Sequence, residues 1–167
     1  MNSKKIILLF VLCIAGCSNS NDKNKESVMN CKLQTKFNIM DVESNSKIYY
    51  VGDKAIKNLK NETVTFYKSK DVTNEEMTAF IEEYVETLKK QKASTKDLDG
   101  VTMNFTVDES VITIKGEIDY TKIDVDKMKE TDPNIKDLLT DNKISVSKLK
   151  SSSEALGSVC SDLEGVK

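Results

Sequence analysis

The stretch Thr73-Asn74-Glu75-Glu76 opens the segment that most restricts the possible folds. It has the form of a capping box, with Thr at the N-cap and Glu at N3. Met77, Phe80, Ile81, Tyr84, Val85 and Leu88 follow at spacings of three and four. They put one apolar stripe on a helix whose other side carries Glu82, Glu83, Glu86 and Lys90. A one-sided helix needs an apolar surface to cover, and the flanking sequence supplies strands for it.

Before the helix, Cys31, Leu33, Phe37 and Ile39 alternate with Lys32, Gln34, Lys36 and Asn38, which reads as a half-buried strand. A second strand is read over Lys47–Val51, turning at Gly52-Asp53. A third runs from about Ala55 to Tyr67, with Ile56, Val64 and Phe66 in phase and Leu59 out of step, as a bulge would leave it. After the helix and a polar loop over Lys92–Gly100, Val101, Met103, Phe105 and Val107 alternate up to a turn at Asp108-Glu109-Ser110. Ile112, Ile114, Ile118 and Tyr120 alternate back, interrupted by Gly116. Three short helices close the chain: one capped by Asp124, one opened by Asp132-Pro133, and one over Val146–Leu156 stopped by Gly157. The expected fold is α+β, an antiparallel sheet of about five strands with one long amphipathic helix and shorter C-terminal helices packed on it.

The first residues have a separate logic. Lys4 and Lys5 precede an unbroken apolar and small-residue run, Ile6–Gly16, too short for a bilayer-spanning helix of about 20 residues. Ile14-Ala15-Gly16-Cys17 resembles the lipobox of bacterial lipoproteins. The resemblance implies cleavage between Gly16 and Cys17 and a diacylglyceryl group on the Cys17 sulfur. Cys13, preceded by bulky Leu12, fits poorly. The expected organisation is a signal peptide over 1–16, a flexible tether over 17–28 and one globular domain over 29–167. The expected place is the extracytoplasmic face of the cell membrane, held by acyl chains that each bury about 0.8 kcal/mol per CH₂.

This leaves Cys31 and Cys160, one at each end of the domain. Export permits a disulfide between them, and two buried free thiols are the alternative. Without Lys4 and Lys5, the 25 basic residues become 23 against 27 acidic ones, which argues against a nucleic-acid partner. The chain has no His, Trp or Arg. It therefore lacks the commonest general base, the commonest metal ligand and the bidentate carboxylate clamp.

No nucleophile–base pair is visible, so the expectation is a protein without catalytic residues, cofactor or metal. Asp119, Asp124, Asp126 and Glu130 offer carboxylates for Ca²⁺ but not at the spacing of an EF-hand loop; helix capping on a solvated acidic face is the preferred reading. Tyr49 and Tyr50 are adjacent on a strand, so one must point outward as a contact residue. Lys57, Lys60, Lys89, Lys90 and Lys92 read as solvated.

With these parts in place, the chain resembles the YehR-like family of small bacterial lipoproteins. The lipobox, the YYVGDKAI strand–turn–strand, the helix from Glu75 to Lys89, and Asp99-Gly100-Val101 leading to IDYTKIDVDKMKE carry the resemblance. It implies a surface-facing lipoprotein and brings no catalytic residues with it. Two functions are expected: a membrane-anchored interaction module for an unknown envelope protein, or an accessory solute-binding protein with a small apolar pocket between helix and sheet. A hydrolase using paired carboxylates ranks last.

Overall fold

The structure is a computed structural model and describes residues 25–131 and 133–163. The lipobox with Gly16 and Cys17, and Asp132 as a helix cap, lie outside the described residues. Residues 26–28, expected at the end of the tether, already belong to the first strand, which begins at Glu26.

Six strands form one antiparallel sheet: β1 (Glu26–Lys36), β2 (Met40–Val51), β3 (Lys54–Phe66), β4 (Val101–Asp108), β5 (Val111–Asp119) and, last in the chain, β8 (Val159–Leu163). Their spatial order is β4-β5-β3-β2-β1-β8. A two-residue turn at Asp141-Asn142, both with positive φ, joins the small hairpin β6 (Leu139–Thr140) and β7 (Lys143–Ile144). The helices are α1 (Asn74–Thr95), α2 (Val125–Thr131), a 3₁₀ turn (Pro133–Leu138) and α3 (Val146–Ala155).

The count of five strands is thus corrected to six. The missed one, β8, has only Val159 and Leu163 as large apolar residues, and both are exposed. It pairs with β1 in a register that sets Cys160 opposite Cys31, and the two form a disulfide. The second strand is also longer than its apolar part: β2 starts at Met40, through Asp41, Glu43, Ser44, Asn45 and Ser46. The irregularity expected at Leu59 lies at Ile56, where the register steps from Tyr49↔Lys57 to Tyr50↔Ala55. Ala55, not Ile56, therefore faces inward and is 1% exposed.

The helix starts as its sequence requires. Glu76 N–H donates to Thr73 Oγ1 at 3.2 Å, and Thr73 N–H donates to Glu76 Oε2 at 2.9 Å. The Thr73 backbone donor holds the Glu76 carboxyl below its usual range. The helix then continues to Thr95, past the expected end. Leu88 is fully buried, which contributes roughly 2–3 kcal/mol.

All helices lie on one face of the sheet. At 3.3 Å per residue, β1–β3 are about 40 Å long, more than one helix layer covers. Cross-strand rows show how that face divides. The row Thr35–Val42–Val64–Ile112 is mostly apolar and lies under α1. The row Met29–Ile48–Asn58–Ile118 lies under α2, the 3₁₀ turn and α3. Between them run Leu33–Ser44–Glu62–Ile114 and Cys31–Ser46–Lys60–Gly116. The centre of the inward face is therefore polar.

Two turns hold the C-terminal layer in place. Asp53, in the β2–β3 turn, accepts from Ser145 Oγ at 2.6 Å and from Ser147 N–H at 2.7 Å, fixing the start of α3. At its other end, Ser158 N–H donates to the Ser153 carbonyl and Gly157 N–H to that of Glu154, a Schellman motif with Gly157 at φ +90°. Gly100, at φ +77°, answers for the Asp99-Gly100 motif. A Cβ there would stand 2.6 Å from the Asp119 carbonyl oxygen, so only glycine fits where the β4 start meets the β5 end.

Candidate functional site

The residues singled out from sequence have mostly structural roles. Asp124 Oδ1 accepts from the N–H groups of Asp126 and Lys127, capping α2. Asp126 pairs with Lys129 at 2.8 Å. Asp119 binds Lys122 at 2.8 Å and accepts from Thr121, which holds its carboxyl down at about 2. The Glu130 side chain lies outside what is described. Among the described residues, no three Asp, Glu or Cys side chains gather as a metal set.

Tyr49 and Tyr50 take opposite faces of β2. Tyr49 sits on the polar face, in the row with Val28 and Lys57. Tyr50 packs on the inner core, and its hydroxyl donates to Asp162 Oδ1 on β8 at 2.8 Å. Burial, then the Asp162 hydrogen bond and charge, push its phenol up to about 12. The fold thus favours the neutral phenol. The stabilisation is complete below the unfolded value near 10 and is lost as pH rises through about 12. Denaturant midpoints measured from pH 9 to 12 are expected to fall less steeply for Tyr50→Phe than for the native chain; equal slopes would contradict the assignment.

The polar centre of the inner face is where the structure leaves room. A groove of about 1040 Å³ lies between α1 and the turn from α3 into β8, floored by β1–β3. Its apolar walls include Leu33, Phe37, Phe66, Phe80 and Leu156. Phe37, Phe80 and Leu156 are 48%, 42% and 47% exposed, so the groove opens to solvent with large apolar side chains on its rim. Phe80 was expected in the core stripe; it instead faces this opening. The β1–β2 turn that carries Phe37 is pinned from β3: Tyr67 N–H donates to the Ile39 carbonyl at 3.0 Å and Tyr67 Oη to that of Phe37.

The floor carries charge. Lys60 Nζ meets Glu62 Oε2 at 2.6 Å, with side chains 15% and 9% exposed. Lys60 is thus not on a solvated face, as expected, but inside the groove. Tyr84 reaches in from α1, edge-on to Phe66 at 5.6 Å. It is 8% exposed, and its buried hydroxyl has no hydrogen-bond partner. Burial, with the nearby Glu62 charge, raises its phenol above the ordinary value. An unpartnered buried hydroxyl is costly, of order 1–3 kcal/mol, and a ligand atom would remove that cost.

Sequence reasoning put Lys60 on a solvated face and gave Glu62 no role, because both are charged. The signal was present: both share the even phase of Val64 and Phe66. Strict alternation along β3 points all four to one side.

The sequence matches the family model described as "Protein of unknown function (DUF1307)" over residues 33–157. That span holds α1 and all the groove-lining residues except Cys31 and Ser158, and it also stops short of Cys160. Among solved structures, the NMR structure of the E. coli YehR protein is 21% identical, covers 88% of this chain and 97% of its own, and superposes with a TM-score of 0.54. The NMR structure of a protein from Streptococcus pneumoniae TIGR4 is 18% identical, with 96% and 98% covered and a TM-score of 0.49. The first likeness shows a shared fold. No curated protein matches.

Proposed function

The chain belongs to the DUF1307 family, the YehR-like proteins of unknown function, and we propose that this member is a lipid-anchored, extracytoplasmic binding protein whose groove takes an elongated apolar ligand. The groove itself carries the reading. Its size suits a small-molecule or peptide ligand, its walls are apolar, and Lys60, Glu62 and Tyr84 converge on its floor. An interaction module that met its partner through a flat surface would need none of these.

The anchor rests on the lipobox at Cys17. Residues 18–25 span at most about 28 Å, and they join β1 at Glu26. The Phe37–Ile39 end of the groove lies at the other end of β1, roughly 35 Å further on. On this reading the groove would be offered to ligands from the side away from the bilayer.

Mass spectrometry of protein extracted from its own membrane tests the reading. An apolar molecule is expected to leave with the native chain and to be at least tenfold depleted from Phe80→Asp. Equal recovery from both, or none from either, would contradict it. Cys17→Ser is expected to lose lipid labelling in the same preparation.

A further inference from the structure

We infer that the groove's ligand is an extended peptide that adds as a strand to the open edge of β1. The inference rests on the groove reading above and names the ligand's class. β8 covers only part of that edge: its last pairing in this direction is Val159 with Lys32. From Leu33 to Lys36, β1 has β2 on one side and, among the described residues, no strand on the other.

The hydrogen-bond phase shows what that edge presents. Phe37 N–H donates to the Met40 carbonyl at 2.8 Å, so 37 and 40 are a bonded pair. Antiparallel ladders alternate, which makes 35 with 42 and 33 with 44 bonded pairs as well. The N–H and C=O of Gln34 and Lys36 then point away from β2, to the open side. The same phase turns Asn30 and Lys32 toward β8, which they pair. An incoming strand would continue the line of β8 on donors and acceptors of the same kind.

Side chains agree with the backbone. Leu33 and Thr35 face the groove, while Gln34 is exposed on the other side and Lys36, also exposed, borders the groove where β1 ends. A peptide strand would therefore set every second side chain into the groove and leave the others beside Gln34 and Lys36. Main-chain bonds would give affinity and the groove would select the alternate side chains, the logic of strand addition. A plain acyl chain would fill apolar volume but use none of the free edge groups.

The test uses the full chain in nanodiscs and a labelled Leu-Thr-Leu-Thr-Leu-Thr peptide with a terminal lysine. Two N-methylated versions, each blocking alternate amides, and a ten-carbon nonionic amphiphile are compared. The unmodified peptide is expected to bind, and one N-methylated register to bind about tenfold more weakly. Gln34→Pro removes an edge N–H that β2 does not use and is expected to weaken the peptide about tenfold relative to Gln34→Ala. Phe80→Asp is expected to weaken peptide and amphiphile alike. Equal binding of all three peptides, or binding of the amphiphile alone, overturns the peptide inference and leaves the groove reading standing. Binding that Phe80→Asp does not change, or no binding by any probe, overturns both.

Discussion

Replacing Cys31 and Cys160 together by serine is expected to lower stability by about 4 kcal/mol. The bridge joins residues 129 apart, and a crosslink over so long a loop removes much of the freedom of the unfolded chain. In a domain whose total stability is of order 5–15 kcal/mol, that is a large share. The folded side of the balance is equally specific. β8 is an exposed edge strand of five residues, Val159–Leu163, held by one register with β1, by the disulfide and by Tyr50 Oη on Asp162. The turn before it, with Leu156 and Ser158, is one wall of the groove. Without the bridge, amide exchange is expected to rise along β8 before it rises in β2 or β3, and ligand affinity to fall with it. Urea unfolding of native and double-serine chains checks the magnitude; an unchanged midpoint would show that the bridge is incidental.

Lys60→Met is expected to cost roughly 3 kcal/mol, much more than loss of a surface ion pair. Glu62 is 9% exposed at its side chain and has Lys60 within 2.6 Å. Removing the cation leaves a carboxylate among Phe66, Tyr84 and the apolar rim with its main compensation gone. The double change Lys60→Met with Glu62→Leu removes both charges and is expected to recover most of the loss, since paired desolvation disappears with the pair. It would also turn the groove floor apolar, so stability should return while ligand selectivity changes. Denaturant titration of the two variants decides the first point. If Lys60→Met alone costs less than about 0.5 kcal/mol, the pair is effectively solvated and has no part in the groove.

The sequence made the apolar parts of the fold legible and concealed the polar ones. The capping box at Thr73 and the stripe to Leu88 located α1, and the alternation of Met103 and Ile112 located the β4–β5 hairpin. These elements bury one side, so their periodicity reports their packing. The first half of β2 did not show itself, because Ser44 and Ser46 stand where an ordinary core strand would carry Val or Ile. Those serines, with Lys60 and Glu62, form the floor of the groove. The site was hidden by the same substitutions of polar for apolar residues that create it. β8 was hidden for another reason: pairing on one edge and a disulfide hold it, and neither leaves a periodic mark. Phe80 fell on the expected stripe, yet a stripe cannot distinguish a side chain that meets the sheet from one that overhangs an opening beside it.

The central claim is that a ligand occupies the groove against Tyr84. Ring-carbon NMR on tyrosine-labelled protein tests it most directly, because Tyr84 lines the groove and Tyr49 lies on the opposite face of the sheet. On titration with an apolar peptide or amphiphile, the Tyr84 resonance is expected to shift and saturate while that of Tyr49 stays in place. A Tyr84 signal that remains fixed while ligand binds, or a shift confined to Tyr49, would contradict the account.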